Sequence, residues 1–84
     1  SKAVYMLGYS SVKSLKKTKT TGYVWFWSRS RKKLWMKGEE SGNKLFVKDI
    51  FFDCDQDAML IMVDLIGKNA CHTGNLTCFF NQFK

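Results

Sequence analysis

Proline is absent from this sequence, histidine occurs once, and no apolar run exceeds strand length. The lack of proline excludes a polyproline linker or a proline-rich ligand segment. The longest apolar run, residues 58–63, falls far short of the roughly 20 residues a helix needs to cross a bilayer. No charged segment leads into an apolar block and a small-residue cleavage site, so a signal peptide is not expected. Acidic residues are also scarce, 7 against 14 Lys and Arg. The 3 cysteines are an odd number, which a secreted disulfide scaffold would not normally leave. Reduced thiols on a metal account for all three, and the expected compartment is the cytoplasm.

What is present suffices for a folded chain. Hydrophobic residues make up 45% and aromatics 15%, which argues against disorder. Eighty-four residues make a single domain, 1–84, with a thin core that a metal or a partner subunit would reinforce. The chain opens on Ser1 rather than Met and enters an apolar stretch at residue 3, which reads as a domain shortened at its N-terminus. Charge is divided unevenly: residues 1–48 hold twelve Lys and Arg against two Glu, whereas residues 49–84 hold two Lys against five Asp. The first part suits an anionic ligand and the second a hard cation. A protein that only coats nucleic acid would have little use for the carboxylates.

The expected elements are mostly strands. Residues 3–9 read as a strand, and Ser10 or Ser11 as the cap of a helix reaching about Thr20, with Val12 and Leu15 on one face and Gly22 at its end. Residues 23–27 and 34–36 read as strands around a polar basic loop, and residues 37–44 as a second loop. Strands over 45–52 and 58–66 flank an acidic turn, and a tail follows with two cysteines around Gly74-Asn75. The fold class is α+β, rich in β, with one main helix.

Asp53, Asp55 and Asp57 alternate around Cys54. On an extended backbone the three carboxylates would share one face and offer Mg²⁺ its preferred oxygens, while Cys54 would point the other way. A solvated acidic turn explains the same residues more blandly. Cys54, Cys71 and Cys78 are soft donors of the kind that select Zn²⁺. Three thiolates would leave a fourth position for water, as a catalytic zinc requires; three buried structural thiols are the alternative. His72, directly after Cys71, is a candidate proton carrier, a fourth ligand, or a group that orients a ligand.

The segment Trp27-Ser28-Arg29-Ser30-Arg31 joins guanidinium forks to hydroxyls and an aromatic plane. Arg forks match phosphate oxygens. Trp27 and Trp35 can stack on a purine or fill the core, and a solvated basic run is the plain alternative.

Taken together, these residues resemble a known family. The run Trp27-Ser28-Arg29-Ser30-Arg31 with Leu34-Trp35, followed by Lys37-Gly38-Glu39-Glu40-Ser41-Gly42, is similar to the phosphoribosyl-AMP cyclohydrolase signature WSRSRxxLWxKGExSG. Residues 53–57 resemble its DCDxD segment, and Ala70-Cys71-His72-Thr73-Gly74 with Cys78-Phe79 its ACHTGxxSCF ending. The resemblance implies hydrolysis of the N1–C6 bond of the adenine ring in N1-(5-phosphoribosyl)-AMP, the third step of histidine biosynthesis. It implies zinc on Cys54, Cys71 and Cys78, with Cys54 from one subunit and the other two from its partner, and magnesium on Asp53, Asp55 and Asp57. It implies a small pseudobarrel-like fold that dimerises by intertwining. His72 would be catalytic, and Trp27, Ser28, Arg29, Ser30, Arg31, Lys37 and Ser41 would meet a phosphorylated nucleotide. Leu45 and Leu65 stand where the family often has Gln, Phe26 where Tyr is usual, and Thr77 where Ser is frequent. The rival from another class is a zinc-stabilised, non-catalytic basic module that binds RNA. Neither nucleic acid nor a membrane is the expected partner.

Overall fold

The structure, a computed structural model, describes residues 4–71 and 73–83. Its elements are a helix α1, Val12–Thr21, and four strands: β1, Trp25–Ser28; β2, Lys33–Met36; β3, Lys44–Phe52; β4, Met59–Ile66. Ser11 caps the helix. Its hydroxyl accepts from the amide of Ser14 at 3.1 Å, and the Ser14 hydroxyl accepts from the amide of Ser11 at 2.7 Å. This is a reciprocal capping box with Ser in the place of the usual Glu. Gly22, at φ 80°, ends the helix in the left-handed region, and its amide donates to the Thr18 carbonyl.

The inward face of α1 is polar, which corrects the expectation of an apolar Val12–Leu15 face. Ser14 and Thr18 are buried, whereas Val12 is 71% exposed. The Thr18 hydroxyl accepts the Trp25 amide at 2.9 Å and donates to the Ser14 carbonyl at 2.9 Å. The helix thus lies against the backbone of β1, where small hydroxyl side chains satisfy an amide that an apolar face would strand.

Residues 4–9 form no strand, contrary to the sequence expectation; Ala3 lies outside the described residues. The segment makes single bonds to two different places. The Trp27 amide donates to the Tyr9 carbonyl at 2.8 Å, and the Cys78 amide to the Tyr5 carbonyl at 2.7 Å. The Thr77 hydroxyl donates to the carbonyls of Val4 and Tyr5, so Thr serves where Ser is frequent. Such scattered pairing cannot make a ladder.

β1 and β2 form one antiparallel hairpin, β3 and β4 another, in two separate two-stranded sheets. Among the described residues there is no closed barrel, so the pseudobarrel expectation reduces to a small α+β fold. Residues 22–24 splice the hairpins together: the Val24 amide donates to the Leu45 carbonyl, the Val47 amide to the Gly22 carbonyl, and Tyr23 bridges Phe46. Val24, Phe26 and Leu45 are the buried apolar centre, surrounded by Trp35, Val47, Ile61, Val63 and Leu65. Leu45 sits directly opposite Leu65, so the two departures from Gln meet as one apolar pair. Along β4, half-buried and exposed residues alternate, which puts Leu60, Met62 and Ile66 on the outer face with Phe46 and Phe51 of β3.

Replacing Thr18 by Val keeps the shape but strands the Trp25 amide. Urea unfolding should show a loss of about 1–3 kcal/mol; an unchanged midpoint would mean that the hydroxyl contributes nothing.

Candidate active site

The β1–β2 hairpin turns through residues 29–32, with Lys32 at φ 53°, and projects its basic residues beyond the core. The Ser28 hydroxyl accepts the Arg31 amide at 3.2 Å and lies 3.4 Å from the Ser30 hydroxyl. Two cavities flank this turn. One, of about 430 Å³, is lined by Ser28, Arg31, Lys33, Trp35, Met36 and residues 38–41. The other, of about 500 Å³, is lined by Gly8, Tyr9, Trp27, Ser28, Arg29, Ser30 and Trp35. The expected ligand residues Trp27, Ser28, Arg29, Ser30, Arg31 and Ser41 therefore line one cavity or the other. Trp35 both stacks on Phe26, at 5.0 Å between centroids, and walls both cavities, so core and site are not exclusive for it.

The loop over residues 37–43 is shaped by a close backbone approach. Gly38 is buried at φ 84°, and a Cβ there would come 2.4 Å from the Asn43 carbonyl oxygen. Asn43 also accepts the Lys68 amide at 3.0 Å through its side chain, which ties this loop to the turn after β4. Sequence reading missed Asn43, because its role lies in a contact 25 residues away. It also missed Tyr9, whose ring lies 4.4 Å beneath the Arg29 guanidinium.

Beyond that turn, the tail doubles back: the Gly74 amide donates to the Cys71 carbonyl, and the Ala70 amide to the Leu76 carbonyl. Cys71 and Cys78 thereby come near one another, each influenced by the other and by the charge of Lys37. The Cys71 thiol lies 3.0 Å from the Thr73 hydroxyl. Hydrogen bonds from that hydroxyl and from the Thr73 amide hold the Cys71 pKa below the ordinary thiol value, with Cys78 and the Lys37 charge assisting. Cys78 is pushed the other way by desolvation and by its neighbour. Thr73 is a third residue that sequence reading passed over as a functional group. His72 lies outside the described residues.

Asp53, Asp55 and Asp57 converge, their oxygens within 4.8 Å of one another and all three exposed. They do so on a turn between β3 and β4, not on the extended backbone expected. The Asp53 carboxylate accepts the amides of Asp57 and Ala58 at 3.1 and 3.2 Å, and Gln56 adopts φ 62°. Cys54 consequently does not point opposite the carboxylates; its sulfur lies 3.9 Å from an Asp55 oxygen. Among the described residues of one chain the three sulfurs do not meet in a cluster. The carboxylate triplet suits a hard divalent cation with water completing its shell. The Cys71–Cys78 pair suits a softer ion and needs further donors for a tetrahedron.

The protein is thus a small α+β fold with two arginine-lined cavities at one hairpin turn and a separate set of thiol and carboxylate side chains of metal-donor type. This chain belongs to the phosphoribosyl-AMP cyclohydrolase family, whose model matches residues 6–80. It is 58% identical over 79 residues to the phosphoribosyl-AMP cyclohydrolase of Cenarchaeum symbiosum, covering 94% of this chain and 72% of that one. It is 52% identical over 79 residues to the phosphoribosyl-AMP cyclohydrolase of Solibacter usitatus, covering 94% of this chain and 63% of that one. With the histidine biosynthesis bifunctional protein HisIE of Caldanaerobacter subterraneus it shares 55% identity over 82 residues, 98% of this chain but 40% of the relative.

The Asp53 hydrogen bonds depress its pKa below the ordinary 3.8, the Ala58 amide contributing most. A depressed carboxylate adds stability above its unfolded pKa and loses it as pH falls through the folded value. The stability gap between the protein and its Asp53→Asn variant should therefore narrow below about pH 4. Denaturant titrations across that range test this, and a gap independent of pH would contradict it.

Proposed function

We propose that this protein hydrolyses the N1–C6 bond of the adenine ring in N1-(5-phosphoribosyl)-AMP. The observation that supports the reading is the lining of the two cavities: Trp27, Ser28, Arg29, Ser30, Arg31 and Ser41, the positions expected to meet a phosphorylated nucleotide, each lie on one or the other. Arginine forks suited to phosphate and thiols suited to a soft ion are the two donor sets that ring hydrolysis of a phosphorylated nucleotide calls for.

In this scheme Arg29 and Arg31 bind phosphate through charge-assisted forks. Cys71, with its thiol pKa lowered by Thr73, would serve with Cys78 as two zinc ligands, and Cys54 of a second copy as the third. Zinc, when bound there, would supply Lewis acidity that makes water a competent nucleophile near neutral pH. Water adds to C6, the C6–N1 bond breaks, C6 becomes a carboxamide carbon, and N1 takes up a proton. His72, next to Cys71 in sequence, would carry that proton. Asp53, Asp55 and Asp57 would hold Mg²⁺ and offset phosphate charge.

A homodimer would complete the zinc donors. The outer face of the β3–β4 hairpin favours it: Phe51 and Leu60 are cross-strand partners at 52% and 60% exposure, with Phe46, Met62 and Ile66 beside them. Two strands with an apolar outer face are poorly stable alone. The free thiols Cys54, Cys71 and Cys78 suit a reducing compartment such as the cytoplasm. No helix among the described residues is long and apolar enough to cross a membrane.

Cys71→Ala should abolish both bound zinc and ring opening followed by absorbance, and a chelator should do the same to the unaltered protein. Mixing Cys54→Ala with Cys78→Ala chains should restore about a quarter of the activity, since random pairing gives half mixed dimers with one intact site of two. Failure of the mixture to recover any turnover would exclude a zinc site shared between subunits.

A further inference from the structure

The two cavities beside the β1–β2 turn are adjoining, and each holds one arginine. They share Ser28 and Trp35, with Arg31 lining one and Arg29 the other. Residues two apart would share a face on an extended strand, but residues 29–32 form a turn, and Arg29 and Arg31 line different cavities. Each arginine also has its own tether: Arg29 rests over the Tyr9 ring at 4.4 Å, and the Arg31 amide is held by the Ser28 hydroxyl. Both volumes fall in the range of about 300–1,000 Å³ usual for small-molecule sites.

The substrate of the reading above, on which this inference rests, has a matching shape. Its adenine carries two phosphoribosyl arms, at N1 and at N9 on opposite edges of the base, and each ends in a phosphate. One anion site cannot serve both. We infer that the two cavities are separate phosphoribosyl subsites, one arm per cavity and one arginine per phosphate, with the base at the shared Trp35 wall. The cavity of Arg31 also contains Glu39 and Glu40, whose carboxylates can accept hydrogen bonds from ribose hydroxyls.

The two arms exist as separate molecules, AMP and ribose 5-phosphate, and both can be titrated calorimetrically into the protein. The expected result is that both bind together, saturation with one leaving the affinity of the other unchanged. Arg29→Ala and Arg31→Ala should each weaken one ligand by about tenfold or more, and not the same one. The ligand retained by each variant reports that it is folded. Arg29→Lys and Arg31→Lys, which keep the charge but lose the fork, should show the same split more weakly. Mutual exclusion of the two ligands, parallel loss of both in the Lys variants, or binding of neither by the unaltered protein would overturn the assignment. Failure of the catalytic reading looks different: the two ligands would bind side by side while phosphoribosyl-AMP remained intact.

Discussion

Three backbone hydrogen bonds around Val24 hold the molecule together. Its amide donates to Leu45 at 3.0 Å, its carbonyl accepts from Lys37 at 3.1 Å, and two residues earlier the Gly22 carbonyl accepts from Val47 at 2.8 Å. Two isolated hairpins would be marginal in water. This splice puts them edge to edge and buries Val24, 2% exposed, in a cluster to which both contribute side chains. Full burial of such a side chain is worth about 1.5–3 kcal/mol. The same residue also sets where Lys37 begins, and with it the cavity-lining loop. Core and site are thus coupled at one position.

The remaining geometry follows from how few elements there are. With 84 residues and two sheets of two strands, every loop that carries a chemical group must be braced by backbone or by a short polar side chain. Thr18 does this for β1, Asn43 for the loop over 37–43, Asp53 for the acidic turn, and Thr77 for the tail. Each uses one oxygen to satisfy backbone amides or donate to backbone carbonyls that have no strand neighbour. The braces spare the thin core from having to position the site.

Helix α1 was legible at both ends, since Ser11 and Gly22 carry capping chemistry in their own residue types. Its buried face was not, because Thr18 turns inward to meet an amide of β1, while the buried Ser14 hydroxyl bonds back to Ser11 in the cap. The hairpins were legible from apolar runs and turn residues, to within a residue or two. Of the strand expected over residues 3–9, the described residues 4–9 form none, since an apolar run needs a neighbouring edge and here found only scattered partners. For the site, the motif residues supplied the candidates, and six of the seven expected ligand-contacting positions line the cavities, Lys37 being the exception. The motif could not tell that Arg29 and Arg31 part company, or that Tyr9 supports one of them.

From residue types alone came the donor chemistry: carboxylates suited to a hard ion, thiols to a soft one and guanidinium groups to phosphate, while the order of the motifs carried the resemblance to the family. These depend on functional groups, which a sequence states outright. Tertiary structure decided which of those groups are neighbours. It brought Cys71 to Cys78 and Lys37, left Cys54 with the aspartates, and folded the acidic segment into a turn instead of a strand. Proximity of that kind arises from chain reversals and long-range hydrogen bonds, whose partners lie too far apart in sequence for any local pattern to specify.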